Sequence, residues 1–188
     1  MSILLIIGLA IIGLGIVFVL WGISSYNRLV RLKNLSEEGW SGIDVQLKRR
    51  YDLVPNLVGV VEGYKIHEKD VLENVTKMRA ASMGATTIDA KAEAEKGLTG
   101  ALKTLFAVAE NYPELKANEN FLSLQQELST LETEIQLARR YYNGAARNFN
   151  ITVHSFPSNV IAGMFGFKAI PFFELERSEE REAPKVKF

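Results

Sequence analysis

The stretch FLSLQQELSTLETEIQLARRYYNGAARNFNITVHSF, residues 121–156, decides the fold. In it Phe121, Leu124, Leu128, Leu131, Ile135, Ala138, Tyr142, Ala145, Phe149, Thr152 and Phe156 follow one another in alternating steps of three and four. Such spacing holds one apolar stripe on one side of a helix, so it predicts a long helix packed against others. Asn118, with Glu119 and Asn120 after it, supplies an N-cap. Pro157 pushes Phe156 out of the helical region and closes the element. Gly144 lies off the stripe, where it costs about 1 kcal/mol relative to Ala. At about 1.5 Å per residue the helix is roughly 54 Å long, and it needs partners of similar length.

The partners lie upstream. Leu98, Leu102, Leu105 and Ala109 keep helical spacing after a cap at Thr87 or Asp89 and before Pro113. Ser82 to Thr87, small and polar, reads as a loop. Leu57, Val61, Tyr64, Val71, Val75 and Met78 predict a helix that starts at Pro55, with Glu68 in the vacant stripe position. Leu29, Leu32, Trp40, Ile43, Leu47, Tyr51 and Val54 predict one more, with no breaker between it and the apolar run Ile3 to Ile23. The expected fold is all-α: an N-terminal transmembrane helix continuing into a long-helix antiparallel bundle, then a short non-helical C-terminal tail. The expected divisions are an anchor over 1–25, a bundle over 26–157, and a short helix capped by Ser158 with a Phe-rich, charged tail over 158–188.

The apolar run begins Ile3, Leu4, Leu5 and has about the 20 residues that a bilayer core requires. A cleaved signal peptide would show a basic start and a small-residue cleavage site; here Trp21-Gly22-Ile23 stands where that site belongs. A retained, single-pass anchor is expected, with Trp21 and Tyr26 in the interfacial belt. Arg28, Arg31 and Lys33 follow the span and no basic side chain precedes it. That asymmetry puts the helical domain in the cytoplasm, and it makes the three cations candidates for lipid-headgroup or ion-pair contact.

Composition narrows the function. Twenty-two basic side chains balance 22 acidic ones, so no nucleic-acid partner is expected. Without cysteine there is no disulfide framework and no thiol nucleophile. His67 and His154 stand far apart and outside any metal-ligand spacing. No catalytic residue, metal site or cofactor is expected.

Tyr26-Asn-Arg-Leu-Val-Arg-Leu-Lys-Asn34 and Glu38-Gly-Trp-Ser-Gly-Ile-Asp-Val-Gln-Leu-Lys-Arg-Arg-Tyr-Asp-Leu-Val-Pro-Asn-Leu-Val58 resemble the LemA family of bacterial membrane proteins. The resemblance resumes at Tyr112-Pro-Glu-Leu-Lys-Ala-Asn-Glu-Asn-Phe121, Leu124-Gln-Gln-Glu-Leu128, Ala138-Arg-Arg-Tyr-Tyr-Asn143 and Phe156-Pro-Ser-Asn159. It implies an N-terminal membrane anchor, a helical bundle and no known catalytic activity. Many members carry a lipoprotein cysteine before the Tyr-Asn pair; Ser24-Ser25 stands there in this chain, which implies a plain transmembrane anchor.

Asp44, Lys48, Arg49, Arg50 and Asp52 form a charged cluster. Intrahelical pairs, Asp44 with Lys48 and Arg49 with Asp52, account for it more simply than a binding site does. Arg139 and Arg140 are expected to pair with Glu residues of a neighbouring helix. In the tail, Phe165, Phe167, Phe172 and Phe173 cannot share a helical stripe, because Gly166 and Pro171 break any helix there. They either fold back on the bundle or dock on another copy or on the membrane; a chain lacking 166–188 is expected to keep its bundle. The charge run from Glu174 to Glu182 reads as a solvated tail. Two functions follow as expectations. One is a homo-oligomeric scaffold that organises or remodels the membrane. The other is an adaptor that binds another membrane protein, such as a stress-response protease or a signalling component.

Overall fold

The apolar stripes assemble as an antiparallel helical bundle. The computed structural model describes residues 3–64 and 68–174. Its helices are α1 (Ile3–Glu62), α2 (Lys69–Gly84), α3 (Ile88–Ala109), α4 (Pro113–Lys116), α5 (Glu119–His154) and α6 (Ser158–Met164). No strand occurs among the described residues. His67, the charge run beyond Glu174 and the closing Pro184 to Phe188 fall outside them, as does the Leu4 side chain.

The stripe on α5 is the inner face of the bundle. Phe121, Leu128, Leu131, Ile135, Tyr142, Ala145, Phe149 and Thr152 are buried, and Leu124 and Ala138 are half-buried. Phe156 departs from the pattern, at 82% exposed. It lies past the C-cap Ser155, so the helical phase no longer directs its ring inward. Asn118 caps as expected, its Oδ1 accepting from the Phe121 N–H at 2.9 Å. Thr87 rather than Asp89 caps α3, its Oγ1 accepting from the Ala90 N–H at 3.2 Å.

Antiparallel pairing of α1 with α5 is the main packing of the molecule. The two helices are close at Gly39, where a Cβ would lie 3.0 Å from the Tyr142 Cα and 3.1 Å from the Tyr141 ring. A larger residue there would have to push the two helices or the Tyr141 ring apart by a few tenths of an ångström. The α2–α3 hairpin packs on α1, and Ile43, Leu47, Val54, Leu57, Val75, Leu98, Leu105 and Ile135 meet in the main core. A smaller core of Leu29, Phe149, Val153, Ile161 and Ala162 sits at the anchor-proximal end.

Pro55 does not end the first helix. α1 runs 60 residues through it. Proline in a helix interior removes the donor that the carbonyl four residues back would use, here that of Tyr51. Arg79 of α2 replaces it, its Nε donating to the Tyr51 carbonyl oxygen at 2.6 Å. The break falls after Glu62 instead, so Leu57 and Val61 belong to α1 while Val75 and Met78 belong to α2. The expected loop at 82–87 shortens as well, because α2 continues to Gly84 and buries Ser82. Ser158 opens α6 without capping it; its hydroxyl donates to the carbonyls of Thr152 and Ser155 at 2.7 and 2.9 Å.

The tail is part of the bundle up to Phe173. After Gly166, at φ +71°, the chain runs extended and antiparallel along α5. Two side-chain amides hold it. Asn150 accepts from the Ile170 N–H at 2.9 Å and donates to the Ile170 carbonyl at 2.8 Å. Asn143 does the same with Phe173, at 2.9 and 3.1 Å. Seven helical residues rise about 10.5 Å, and three extended ones span about 10 Å, so the two clips fall in step. The Tyr142 hydroxyl adds a bond to the Pro171 carbonyl at 2.7 Å. Phe173 is fully buried, edge-on to Trp40 at 5.6 Å, so this ring of the tail belongs to the core.

Truncation in urea unfolding of the detergent-solubilised chain checks this packing. Ile135→Ala and Phe173→Ala should each cost about 2–5 kcal/mol. Thr133→Ala, on the exposed side of α5, should stay within about 0.5 kcal/mol. Equal effects at all three would refute both the register and the docked tail.

Candidate functional site

Chemistry-bearing side chains gather where α1, α2, α3 and α5 meet. Arg50 and Tyr51 come from α1, Glu95 and Thr99 from α3, Ser82 from α2 and Glu132 from α5. Arg50 is only 5% exposed and Glu95 is fully buried. One guanidinium nitrogen of Arg50 lies 3.4 Å from Glu95 and 3.3 Å from Glu132; the other donates to Thr99 Oγ1 at 2.9 Å. The Tyr51 hydroxyl donates a short hydrogen bond to the second Glu95 oxygen. Arg50 and Glu95 occupy positions that the neighbouring Leu47 and Leu98 mark as inward-facing, which is why they are buried together.

Burial raises the Glu95 pKa above its ordinary value, against the lowering effects of the Tyr51 hydrogen bond, Arg50, Ser82 and Lys91. Burial, then the hydrogen bond and charge of Glu95, push the Tyr51 phenol well above its usual range. The Ser82 hydroxyl is buried and makes no hydrogen bond of ordinary geometry among the described residues, yet it lies close enough to Glu95 to favour the charged form. Burial, then Asp89, raise Tyr142.

Around this centre the pairs differ from those the spacing suggests. Asp44 reaches across to Lys91 at 2.8 Å and Arg49 to Glu134 at 3.0 Å, while Lys48 takes Asp52 at 3.1 Å. Cross-helix partners come within reach once α3 and α5 pack on α1, and they displace the expected Asp44–Lys48 and Arg49–Asp52 pairs. Arg139 and Arg140 make no ion pair among the described residues. Nor do the described residues hold a group of three His, Asp or Glu side chains that could bind a metal. The network joins three helices through fixed charges, and its accessible side is a groove of about 400 Å³ with Leu102, Phe106, Gln125, Leu128 and Ser129 beside Arg50.

The residues singled out from sequence gather elsewhere. Ile3 and Leu5 are exposed on the apolar end of α1, and Trp21 is half-buried against the smaller core. Tyr26 packs against Phe165 at 4.7 Å, the rings tilted, and edge-on to Phe167 at 5.7 Å. Phe167 also packs edge-on to Phe149, and Phe172 is 36% exposed. The four phenylalanines therefore do not form one patch. Phe167 and Phe173 fold back on their own bundle, so those two rings are not available to another copy; Phe165 remains outward, at 59% exposed. Lys33 pairs with Glu37 at 3.5 Å, and Arg28 and Arg31 have no ion pair among the described residues. Sequence reasoning missed Glu95, Arg79, Asn143 and Asn150. The two asparagines carried a signal, one heptad apart and each directly after an inward aromatic residue, Tyr142 and Phe149.

The LemA family profile matches residues 39–188. The chain belongs to the LemA family. Among similar proteins, Protein LemA of Metamycoplasma hominis is 28% identical, over 81% of this chain and 70% of its own length. Magnetosome protein MamQ 2 of Paramagnetospirillum magneticum is 25% identical over 79% of this chain, and Magnetosome protein MamQ of Magnetospirillum gryphiswaldense 22% over the same share. The match spans 64% of either magnetosome protein's length. The matched family region begins at Gly39, in close contact with α5, and includes every residue of the buried network. The apolar part of α1 lies before it; there the helix is long and apolar enough to cross a membrane.

Removing one partner tests the network. Glu95→Ala leaves Arg50 buried with only Glu132 and Thr99, and should cost about 3–5 kcal/mol. The pH dependence has a fixed sign. A carboxyl whose folded pKa lies above its ordinary 4.5 binds its proton more tightly when folded, so its contribution to stability falls as pH rises through that interval. Unfolding measured from acid to neutral pH should show this loss in the native chain and not in Glu95→Gln.

Proposed function

We propose that this chain is a non-enzymatic, single-span protein of the bacterial inner membrane whose bundle self-associates in the cytoplasm and so organises or remodels the membrane. The observation that carries self-association is a second stripe on α5. Leu137, Tyr141 and Ile151 are each about half exposed and lie, with Gly144 and Asn148 between them, in steps of four and three. The inner stripe fills the molecule's own core; the outer one repeats the spacing of a helix that meets another helix. The groove beside Arg50 favours a second reading, an adaptor that accepts side chains of another membrane protein.

Sedimentation of the purified full chain in detergent separates the two. Self-association predicts an oligomer with no partner present, and smaller particles for Leu137→Glu with Ile151→Glu at unchanged helicity by circular dichroism. A native chain that sediments as a monomer favours the adaptor. A double variant that keeps its oligomer size removes the stripe from the interface.

The one-sided Arg28, Arg31 and Lys33 support a cytoplasmic bundle. Ser82 is buried, so a topology label belongs on an exposed position such as Thr133. Thr133→Cys should react with a membrane-impermeant maleimide only after spheroplasts are lysed. Reaction in intact spheroplasts would place the bundle outside.

A further inference from the structure

Where α5 turns into α6, an uncharged segment lies between the exposed His154 and Lys168. Residues 155–167 contain no ionisable side chain. α6 buries Ile161 and Ala162 against Leu29, Phe149 and Val153, and turns Val160 and Met164 outward, 48% and 73% exposed. Phe156 and Phe165 flank it at 82% and 59%. Elsewhere on a soluble bundle four such side chains close together would be an association hazard.

Their height along α1 gives them an occupant. A Cβ on Gly22 would lie 3.8 Å from Ile161 Cδ1, and Trp21 packs on the same small core. Phe165 rests on Tyr26. An apolar run of about 20 residues ends at Ile23, so on the spanning reading α6 sits where the helix leaves the hydrocarbon and aromatic side chains prefer to lie. Arg31, two residues beyond the inward Leu29, projects from the opposite flank of α1. A cation there suits anionic headgroups.

We propose that α6, with Phe156 and Phe165, is an interfacial foot that inserts into the headgroup–acyl boundary of the bilayer spanned by α1. The proposal rests on the membrane-spanning reading of α1. Val160, Met164 and the two rings enter to a depth of about 5–10 Å, as apolar faces of interfacial helices do. A single span can turn about its own axis; a foot on one side of it fixes which face of the bundle meets the membrane.

The chain has no cysteine, so one introduced cysteine carries one spin label. Full-length Met164→Cys and Val160→Cys would be labelled and reconstituted, one copy per nanodisc, in phosphatidylcholine with phosphatidylglycerol. Val17→Cys in the span and Thr133→Cys on the bundle are the references. Accessibility to oxygen relative to a water-soluble nickel chelate should be several-fold higher at 160 and 164 than at 133, and should approach that at 17. A Val17 label open to nickel would overturn the membrane-spanning reading itself. With Val17 in lipid, a Met164 label as open to nickel as Thr133 would overturn the foot alone. Protection at Met164 that arises only with several copies per bilayer would assign the patch to a second copy and overturn the foot as well.

Discussion

A single hydrogen bond from α2, Arg79 Nε to the Tyr51 carbonyl, lets the rest of the structure exist as it does. Pro55 would otherwise leave that carbonyl without a donor inside a packed helix, where an unmet polar group costs about 1–3 kcal/mol. With the donor supplied from outside, α1 stays continuous from Ile3 to Glu62. Leu57 and Val61 then extend the face that receives the α2–α3 hairpin. The bond therefore couples two features that look separate, the length of the first helix and the position of the hairpin.

The polar centre just beneath it has a related role. Burying Arg50 and Glu95 is costly in desolvation, and an apolar pair of similar size would serve stability as well or better. What the charges add is discrimination. A hairpin shifted by one turn along α1 would separate the buried Glu95 from Arg50 and Tyr51, leaving its carboxyl without a partner, and would also part Lys91 from the exposed Asp44. Apolar side chains alone tolerate such sliding more readily.

The parts of the fold legible in the sequence were those where one helix face meets another over several turns. The α5 stripe, the α3 stripe and the Asn118 cap needed only period and capping chemistry. The continuation of α1 through Pro55 did not follow from local rules, because the rescuing donor is 28 residues away. Nor did the tail, whose register depends on Asn143 and Asn150 acting as backbone mimics on a distant strand-like segment. At the candidate site Arg50 was visible as a charge in a cluster. Its partner Glu95 was overlooked: the period of Leu98 and Leu102 marks position 95 as inward-facing, but only the packing of α3 on α1 supplies the distant Arg50 that a buried carboxylate there needs.

The unbroken α1 also makes the molecule a lever. About 39 residues of that helix continue beyond the apolar run, roughly 58 Å at the usual rise. With no hinge at the membrane boundary, a tilt of the span is carried whole to the far end. Spans tilt by about 20° on average and tilt further in thinner bilayers, and 20° at the base moves the tip sideways by about 20 Å. On the membrane-spanning reading of α1, bilayer thickness translates into the lateral position of Pro55, Arg79 and the head of the bundle.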